Sequence, residues 1–161
     1  MELIAAVDRD WAIGRGEQLL YSIPEDLARF KELTIGKAIV YGRKTMATFP
    51  GGKPLPGRKN YVLTHHLEQV PAPAWGVASV EELLEAVRQE SDLFVAGGEQ
   101  VYRQLLPFCD GAWITQIDAQ GGGDRFLPNL DRMPEWQLAE VSEWKRWQDL
   151  RFRFCRYLRK M

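Results

Sequence analysis

Short apolar runs rich in β-branched residues recur along this chain, and segments with a helical apolar period stand between them. The pattern predicts strands at Leu3 to Val7, Ala38 to Tyr41, Asn60 to Thr64, Leu93 to Ala96 and Ala112 to Ile117. Helices are predicted at Glu25 to Leu33, Lys44 to Thr48, Val80 to Glu90 and Gln100 to Leu106. Strands apolar on both faces must be covered on both, and intervening helices allow neighbouring strands to run parallel. The expected class is therefore α/β, with a mainly parallel sheet flanked by helices. After Pro134 the texture changes: Trp136 to Trp144 and Leu150 to Leu158 alternate loosely around Lys145-Arg146-Trp147-Gln148-Asp149, which reads as a long antiparallel hairpin and makes the sheet mixed. The 161 residues suit one domain, expected over 1–161, large enough to bury a core without a staple.

Charge and cysteine content exclude several classes. With 22 acidic against 21 basic side chains, the chain has no basic field to attract a nucleic acid backbone or an anionic membrane. The opening Met1-Glu2-Leu3-Ile4-Ala5-Ala6-Val7-Asp8 has an acid where a signal peptide would be basic, and its apolar run is too short to span, so a cytoplasmic location is expected. Cys109 and Cys155 match no metal or redox spacing and are expected as separate buried thiols, and no metal site is expected.

Asp26 breaks the pattern of its helix. In Ser22-Ile23-Pro24-Glu25-Asp26-Leu27-Ala28-Arg29-Phe30-Lys31-Glu32-Leu33 the helical spacing groups Ile23, Asp26, Leu27 and Phe30, with Leu33 or Thr34 closing the face. Glu25, Arg29 and Glu32 fall on the other side, and no Lys or Arg shares the apolar face. A carboxylate turned inward is costly unless something pairs with it, so either a protein group or a ligand must do so.

Three strand-to-helix junctions suit anions. Gly42-Arg43-Lys44-Thr45 follows the strand ending at Tyr41, Gly97-Gly98 follows Phe94-Val95-Ala96, and Leu63-Thr64-His65-His66 closes a third strand with donors. No GxGxxG fingerprint is present, yet three such junctions on one sheet point to a dinucleotide across the carboxyl ends of its strands. Arg43, Thr64 and His65 would suit a ribose 2′-phosphate, favouring NADP over NAD. In Pro54-Leu55-Pro56-Gly57-Arg58-Lys59-Asn60 a proline-stiffened loop presents Arg58, whose guanidinium can grip a carboxylate with two parallel bonds.

Over essentially its whole length the chain resembles bacterial dihydrofolate reductases. The resemblance is carried, in order, by Leu3-Ile4-Ala5-Ala6-Val7-Asp8, Ile13-Gly14, Pro24-Glu25-Asp26-Leu27-Ala28-Arg29-Phe30-Lys31, Gly42-Arg43-Lys44-Thr45, the Pro54 to Asn60 loop, Ala96-Gly97-Gly98-Glu99-Gln100-Val101-Tyr102, Thr115-Gln116-Ile117-Asp118-Ala119 and Gly123-Asp124-Arg125-Phe126-Leu127-Pro128. It implies an eight-stranded sheet and NADPH-dependent reduction of dihydrofolate, with hydride transfer to pterin C6 and water-mediated protonation of N5. Asp26, helped by Thr115, Tyr21 and Leu19, would form the catalytic group. Ile4, Ala6, Leu27, Phe30, Phe49, Leu55, Arg58 and Ala96 would join Asp26 and Thr115 around the substrate, with Arg58 on the glutamate tail. Ala6, Ile13, Gly14, Gly42, Arg43, Lys44, Thr45, Leu63, Thr64, His65 and the run Ala96, Gly97, Gly98, Glu99, Gln100, Val101, Tyr102 would hold the cofactor. Asp8 to Ile23 would be a mobile lid steadied by Asp124.

The same resemblance implies a monomer and diaminopyrimidine antifolates as inhibitors. Against the family pattern, Tyr21 replaces a tryptophan, Leu20 a proline, Leu19 a methionine, Ala96 a larger aliphatic residue, Gln100 an arginine and Met46 an aromatic. The alternatives are a same-fold pyrimidine reductase of flavin biosynthesis and a non-catalytic nucleotide-binding module. Asp26 together with Arg58 argues against the first, and dihydrofolate-dependent NADPH oxidation would exclude the second.

Overall fold

The computed structural model describes residues 1–16 and 18–160; Glu17, inside the expected lid, lies outside the described residues. Its main sheet contains β1 (Glu2–Val7), β4 (Ala38–Gly42), β5 (Lys59–Leu63), β6 (Trp75–Val77), β7 (Leu93–Val95), β8 (Gly111–Ile117), β10 (Trp136–Val141), β11 (Lys145–Trp147) and β12 (Leu150–Arg159). Eight of these run across the sheet in the order β10-β12-β8-β1-β7-β4-β5-β6, and β11 pairs with β12 as a short ninth. From β8 to β6 all neighbours are parallel, whereas β12 joins β8, β10 and β11 antiparallel. The sheet is thus mixed and mainly parallel, with the expected C-terminal hairpin.

Helices α1 (Pro24–Thr34), α2 (Arg43–Met46), α3 (Val80–Ala86) and α4 (Glu99–Leu105) connect the parallel strands. Pro24 sits at the start of α1, where its missing N–H costs nothing. α3 is capped by Ser79, whose hydroxyl oxygen accepts from the Glu82 N–H at 3.1 Å, and it stops at Ala86, short of the predicted Glu90. Leu83, Val101 and Leu105 bury one face of the sheet against Leu3, Val40, Val95 and Ile114. Phe30 and Leu33 of α1 and Met46 of α2 pack on the other face against Ile4, Ile39, Tyr41, Val62 and Phe94. Alternate residues of one strand therefore serve two cores, as Leu3 and Ile4 do. Cys109 and Cys155 are both free and buried, and burial pushes the Cys109 thiol up to about 12.

Two features depart from the sequence expectation. The hairpin turn is tighter than the Lys145 to Asp149 loop: Trp147 already pairs with Leu150, leaving Gln148 and Asp149 as the turn, with Gln148 at φ 53. A second, three-stranded sheet of β2 (Ala12–Arg15), β3 (Gln18–Leu19) and β9 (Arg125–Phe126) runs in the order β3-β2-β9. Strands of two to four residues carry no readable period, and the same holds for the three residues of β6. This small sheet fastens the segment expected to be a lid to the loop after β8: the Gly16 N–H donates to Asp124 Oδ1 at 2.9 Å and the Asp124 N–H to the Gly14 carbonyl at 3.0 Å.

Candidate active site

A cleft with two lobes opens along the carboxyl ends of the parallel strands. The first lobe is a cavity of about 470 Å³ between α1 and the sheet, and the second, of about 700 Å³, runs over β4, β5 and α4. Ile13, Leu19, Thr45, Thr48 and Gly98 line both, so the lobes meet there. Open α/β sheets generally bind ligands in this position.

Asp26 enters the first lobe from α1. Its Oδ1 accepts a 2.5 Å bond from the Thr115 hydroxyl, directed there by β8. Burial pushes the Asp26 carboxyl above its ordinary value, opposed by the Thr115 bond and then by the charge of Arg29. The surroundings explain the direction, since Ile4, Ala6, Leu27, Phe30, Phe49, Leu55, Ala96 and Trp113 make most of the wall apolar. Leu27 is 51% exposed although it belongs to the apolar stripe, because its own side chain lines the open lobe while Phe30 and Leu33 of that stripe pack on the sheet. The Ile4 carbonyl at the cavity edge accepts a 2.6 Å bond from the buried Tyr102 hydroxyl. Arg29 corrects the helical wheel: placed by spacing on the outer face, it is partly buried, lines the cavity and lies over the Phe154 ring at 4.1 Å.

At the far end of this lobe Arg58 is held in place before any ligand arrives. Its Nε donates to Thr34 Oγ1 at 3.0 Å and its Nη1 to the Pro56 carbonyl at 2.8 Å, while the Thr34 hydroxyl donates onward to the Phe30 carbonyl at 2.8 Å. Both residues offered for the close of the helix face are placed there, Thr34 fully buried and Leu33 partly buried against the sheet. The loop itself hangs on buried Asn60, whose Oδ1 accepts from the Tyr41 hydroxyl and the Leu55 N–H and whose Nδ2 donates to the Leu55 and Arg58 carbonyls. Gly57, at φ 76, passes so close to α1 that an added Cβ would meet Ile35 Cδ1 at 2.5 Å.

The second lobe gathers Gly14, Gly42, Arg43, Lys44, Thr45, Leu63, Thr64, His65, Gly98, Glu99, Gln100 and Val101. The two glycine junctions touch: the Gly42 N–H donates to the Gly97 carbonyl at 2.9 Å, and a Cβ on Gly98 would lie 3.2 Å from Thr45 Oγ1. Not every expected residue offers its side chain here. Glu99 Oε2 accepts from the Phe126 N–H at 2.6 Å, Val101 is buried, and Tyr102, also buried, lines the first lobe instead, as do Ala6, Ala96 and Gly97.

Leu19 and Tyr21 reach the site from the lid side, and both line the first lobe. The Tyr21 hydroxyl, however, points to the loop after β8, where a Cβ on Gly121 would stand 2.8 Å from it, and burial and the negative charge of Asp8 raise its pKa. Buried Asp8 accepts the N–H groups of Asp10, Ala12 and Gly121 at 2.9 to 3.0 Å, tying the start of the lid to the same loop. Sequence reasoning gave no role to Thr34, Asn60 or the Tyr102 hydroxyl. Asp8 alone had a local signal, an acid directly after a strand where it can bond to N–H groups of the following turn.

A family model described as dihydrofolate reductase matches residues 1–159. Among curated relatives, a dihydrofolate reductase of Neisseria meningitidis serogroup B is 38% identical over 158 residues, 98% of this chain and 96% of that protein. One from Bacillus subtilis is 36% identical over 143 residues, covering 89% and 83%. Among solved structures, the dihydrofolate reductase from Enterococcus faecalis complexed with NADP(H) and RAB-propyl superposes with a TM-score of 0.88 at 30% identity, covering 99% of this chain and 96% of that one.

Proposed function

The chain belongs to the dihydrofolate reductase family, and on that premise we propose that it reduces 7,8-dihydrofolate to 5,6,7,8-tetrahydrofolate with NADPH, as a cytoplasmic monomer folded as one domain over 1–161. The observation that carries this reading is Asp26, a carboxylate held by Thr115 in a mostly apolar lobe and left for a ligand to complete. Its two oxygens suit the 2-amino group and N3 of a pterin, and the open face of Leu27 with Phe30 suits the flat rings. Arg58 supports the tail's carboxylate, because Nε and one Nη1 bond anchor the guanidinium and leave its remaining N–H groups to face the lobe.

The second lobe fits NADPH by its donor set. Arg43 and Lys44 supply cations with no ion pair among the described residues, Thr64 and His65 supply further polar groups, and Gly98 lines the lobe with no side chain between a ligand and the backbone. NADPH, when bound, supplies the hydride. The chain's own part is to align the two ligands where the lobes meet, to exclude water beneath Leu19 and the lid, and to favour a proton on N5 through the charge of Asp26. Among the described residues no His, Cys, Glu or second Asp lines the first lobe, whose other ionisable side chains are Tyr21, Arg29, Lys31, Arg58 and Tyr102. A water delivers that proton, and hydride transfer needs no covalent intermediate. Diaminopyrimidine antifolates fit the same lobe with a protonated ring against Asp26.

The test follows NADPH absorbance with and without dihydrofolate. Oxidation that requires both is expected. Tight NADPH binding without dihydrofolate-dependent oxidation would overturn the activity, and turnover of a ribosylated pyrimidine instead would assign the sister reaction.

A further inference from the structure

Arg29 is a cation inside an apolar wall. Its guanidinium stands 4.1 Å from the centroid of Phe154 and 5.4 Å from that of Trp113, and among the described residues it makes neither an ion pair within 4.0 Å nor a hydrogen bond. The register of the sheet gives this seat its meaning. Phe154 on β12 lies directly across from Thr115 on β8, and Trp113 precedes Thr115 by two residues on the same face. The patch under Arg29 is thus the patch from which Thr115 reaches Asp26. On α1, Arg29 follows Asp26 by three residues, which places the two Cβ atoms about 5–6 Å apart. Ring faces attract a guanidinium without neutralising it, so its charge remains available to the carboxylate beside it.

We infer that Arg29 is a positioning residue for Asp26, a fixed positive charge built into the wall of the folate lobe that keeps the acid ionised for its ligand. Of the other charges around the patch, Glu32 follows Arg29 by three residues on α1 and also acts on it, while two cations are already committed. Lys145 of β11, 5.9 Å from the Phe154 centroid, pairs with Glu25 at 3.3 Å, and Arg156 of β12, 4.1 Å from the Trp113 centroid, pairs with Glu2. From α4 the Tyr102 hydroxyl is spent on the Ile4 carbonyl, and Tyr21 turns its hydroxyl toward Gly121. Lys31 and Arg58 complete the ionisable lining, and Arg58 is anchored at the tail end on Thr34 and Pro56. Among the described residues, Arg29 is therefore the cation at the Asp26 end without an ion pair or hydrogen bond. The electrostatics agree: burial pushes the Arg29 pKa down, Asp26 first and then Glu32 and Cys155 push it back up, and Arg29 in turn lowers that of Asp26.

The measurement is a pH titration of the Asp26 carboxyl carbon by 13C NMR in the ligand-free protein, the resonance being identified by its loss in Asp26→Asn. Arg29→Met should move the midpoint upward by roughly one unit, and Arg29→Lys, which keeps the charge but not the flat ring contact, by less than half of that. Should the methionine variant fail to fold, Arg29→Gln gives the same reading with a polar isostere. An unchanged midpoint in a folded neutral variant would overturn the inference. Its consequence for turnover rests on the role proposed for Asp26, but the titration does not. A shifted midpoint in a protein whose Asp26→Asn variant turns over normally would retain Arg29's effect while rejecting the catalytic reading.

Discussion

The two lobes of the cleft recognise charge in opposite ways. In the first lobe, proposed for folate, the two groups assigned to the ligand are fixed beforehand: Asp26 by Thr115, Arg58 by Thr34 and Pro56, the loop carrying Arg58 by four bonds of Asn60. In the second lobe, proposed for the cofactor, the side chains of Arg43, Lys44 and His65 make no hydrogen bond or ion pair among the described residues, and Lys44 and His65 are exposed. Preorganised groups lose little freedom on binding and are sensitive to geometry, whereas solvated cations act mainly through charge and are screened by salt. Substitutions in the first lobe should therefore be severe and specific to one ligand. Those in the second should be milder, graded and dependent on ionic strength.

The largest effect should come from Asp26→Asn, whose turnover at neutral pH is expected to fall about 100-fold or more, with part of the rate returning as pH falls and more substrate carries its own proton. A pH–rate profile checks it, and near-parental turnover at pH 7 would break the contrast at its strongest point. Next, Arg58→Lys keeps the charge but loses the planar grip, and should weaken folate binding by about 1–2 kcal/mol while leaving NADPH affinity unchanged. Calorimetric titration of both ligands separates this from a folding defect, which would weaken both. Arg43→Ala should narrow the preference for NADPH over NADH by about 1 kcal/mol, and by less at high salt. A parent enzyme that used both cofactors equally would contradict the assignment of that lobe. The smallest effect is expected at Ala96, where isoleucine should fill space beside the pterin site and tighten diaminopyrimidine inhibition a few-fold. An unchanged inhibition constant would show that the space is not part of the inhibitor's seat.

How much of this was legible in the sequence follows the same division. The strands under the site, α1 and the position of Asp26 in it announce themselves through local period, because burial on a regular element repeats every two residues or every turn. The proline-glycine loop only hinted that Arg58 is presented, since a solvated arginine fits the same residues, and the resemblance supplied the rest. What fixes these groups was not legible. Asn60 and Thr34 act on partners brought together by folding, and a buried polar residue looks like any other until its partners are known. Arg29 was misplaced for a related reason. The wheel gives the direction of Cβ, but a long side chain curls back along its stem toward aromatic faces on β8 and β12 that local sequence does not foretell. The lid sheet escaped altogether, since β3 and β9 are two residues each and gain their meaning only through the loop around Asp124.

If the fold carries Asp26 for a ligand rather than for itself, the protein should be no less stable without that charge. Burial raises the folded pKa of Asp26 above its unfolded value of about 3.8, so the native state binds the proton more tightly and stability falls as pH rises through the interval between the two. The direct test is the melting temperature of Asp26→Asn and of the parent from pH 4 to pH 8, without ligands. Asparagine still accepts the Thr115 bond, and the variant should melt at or above the parent at pH 7, with the difference shrinking toward pH 4. A variant that melts several degrees lower at pH 7, and whose folded fraction keeps its turnover, would make Asp26 a structural acid and contradict the account.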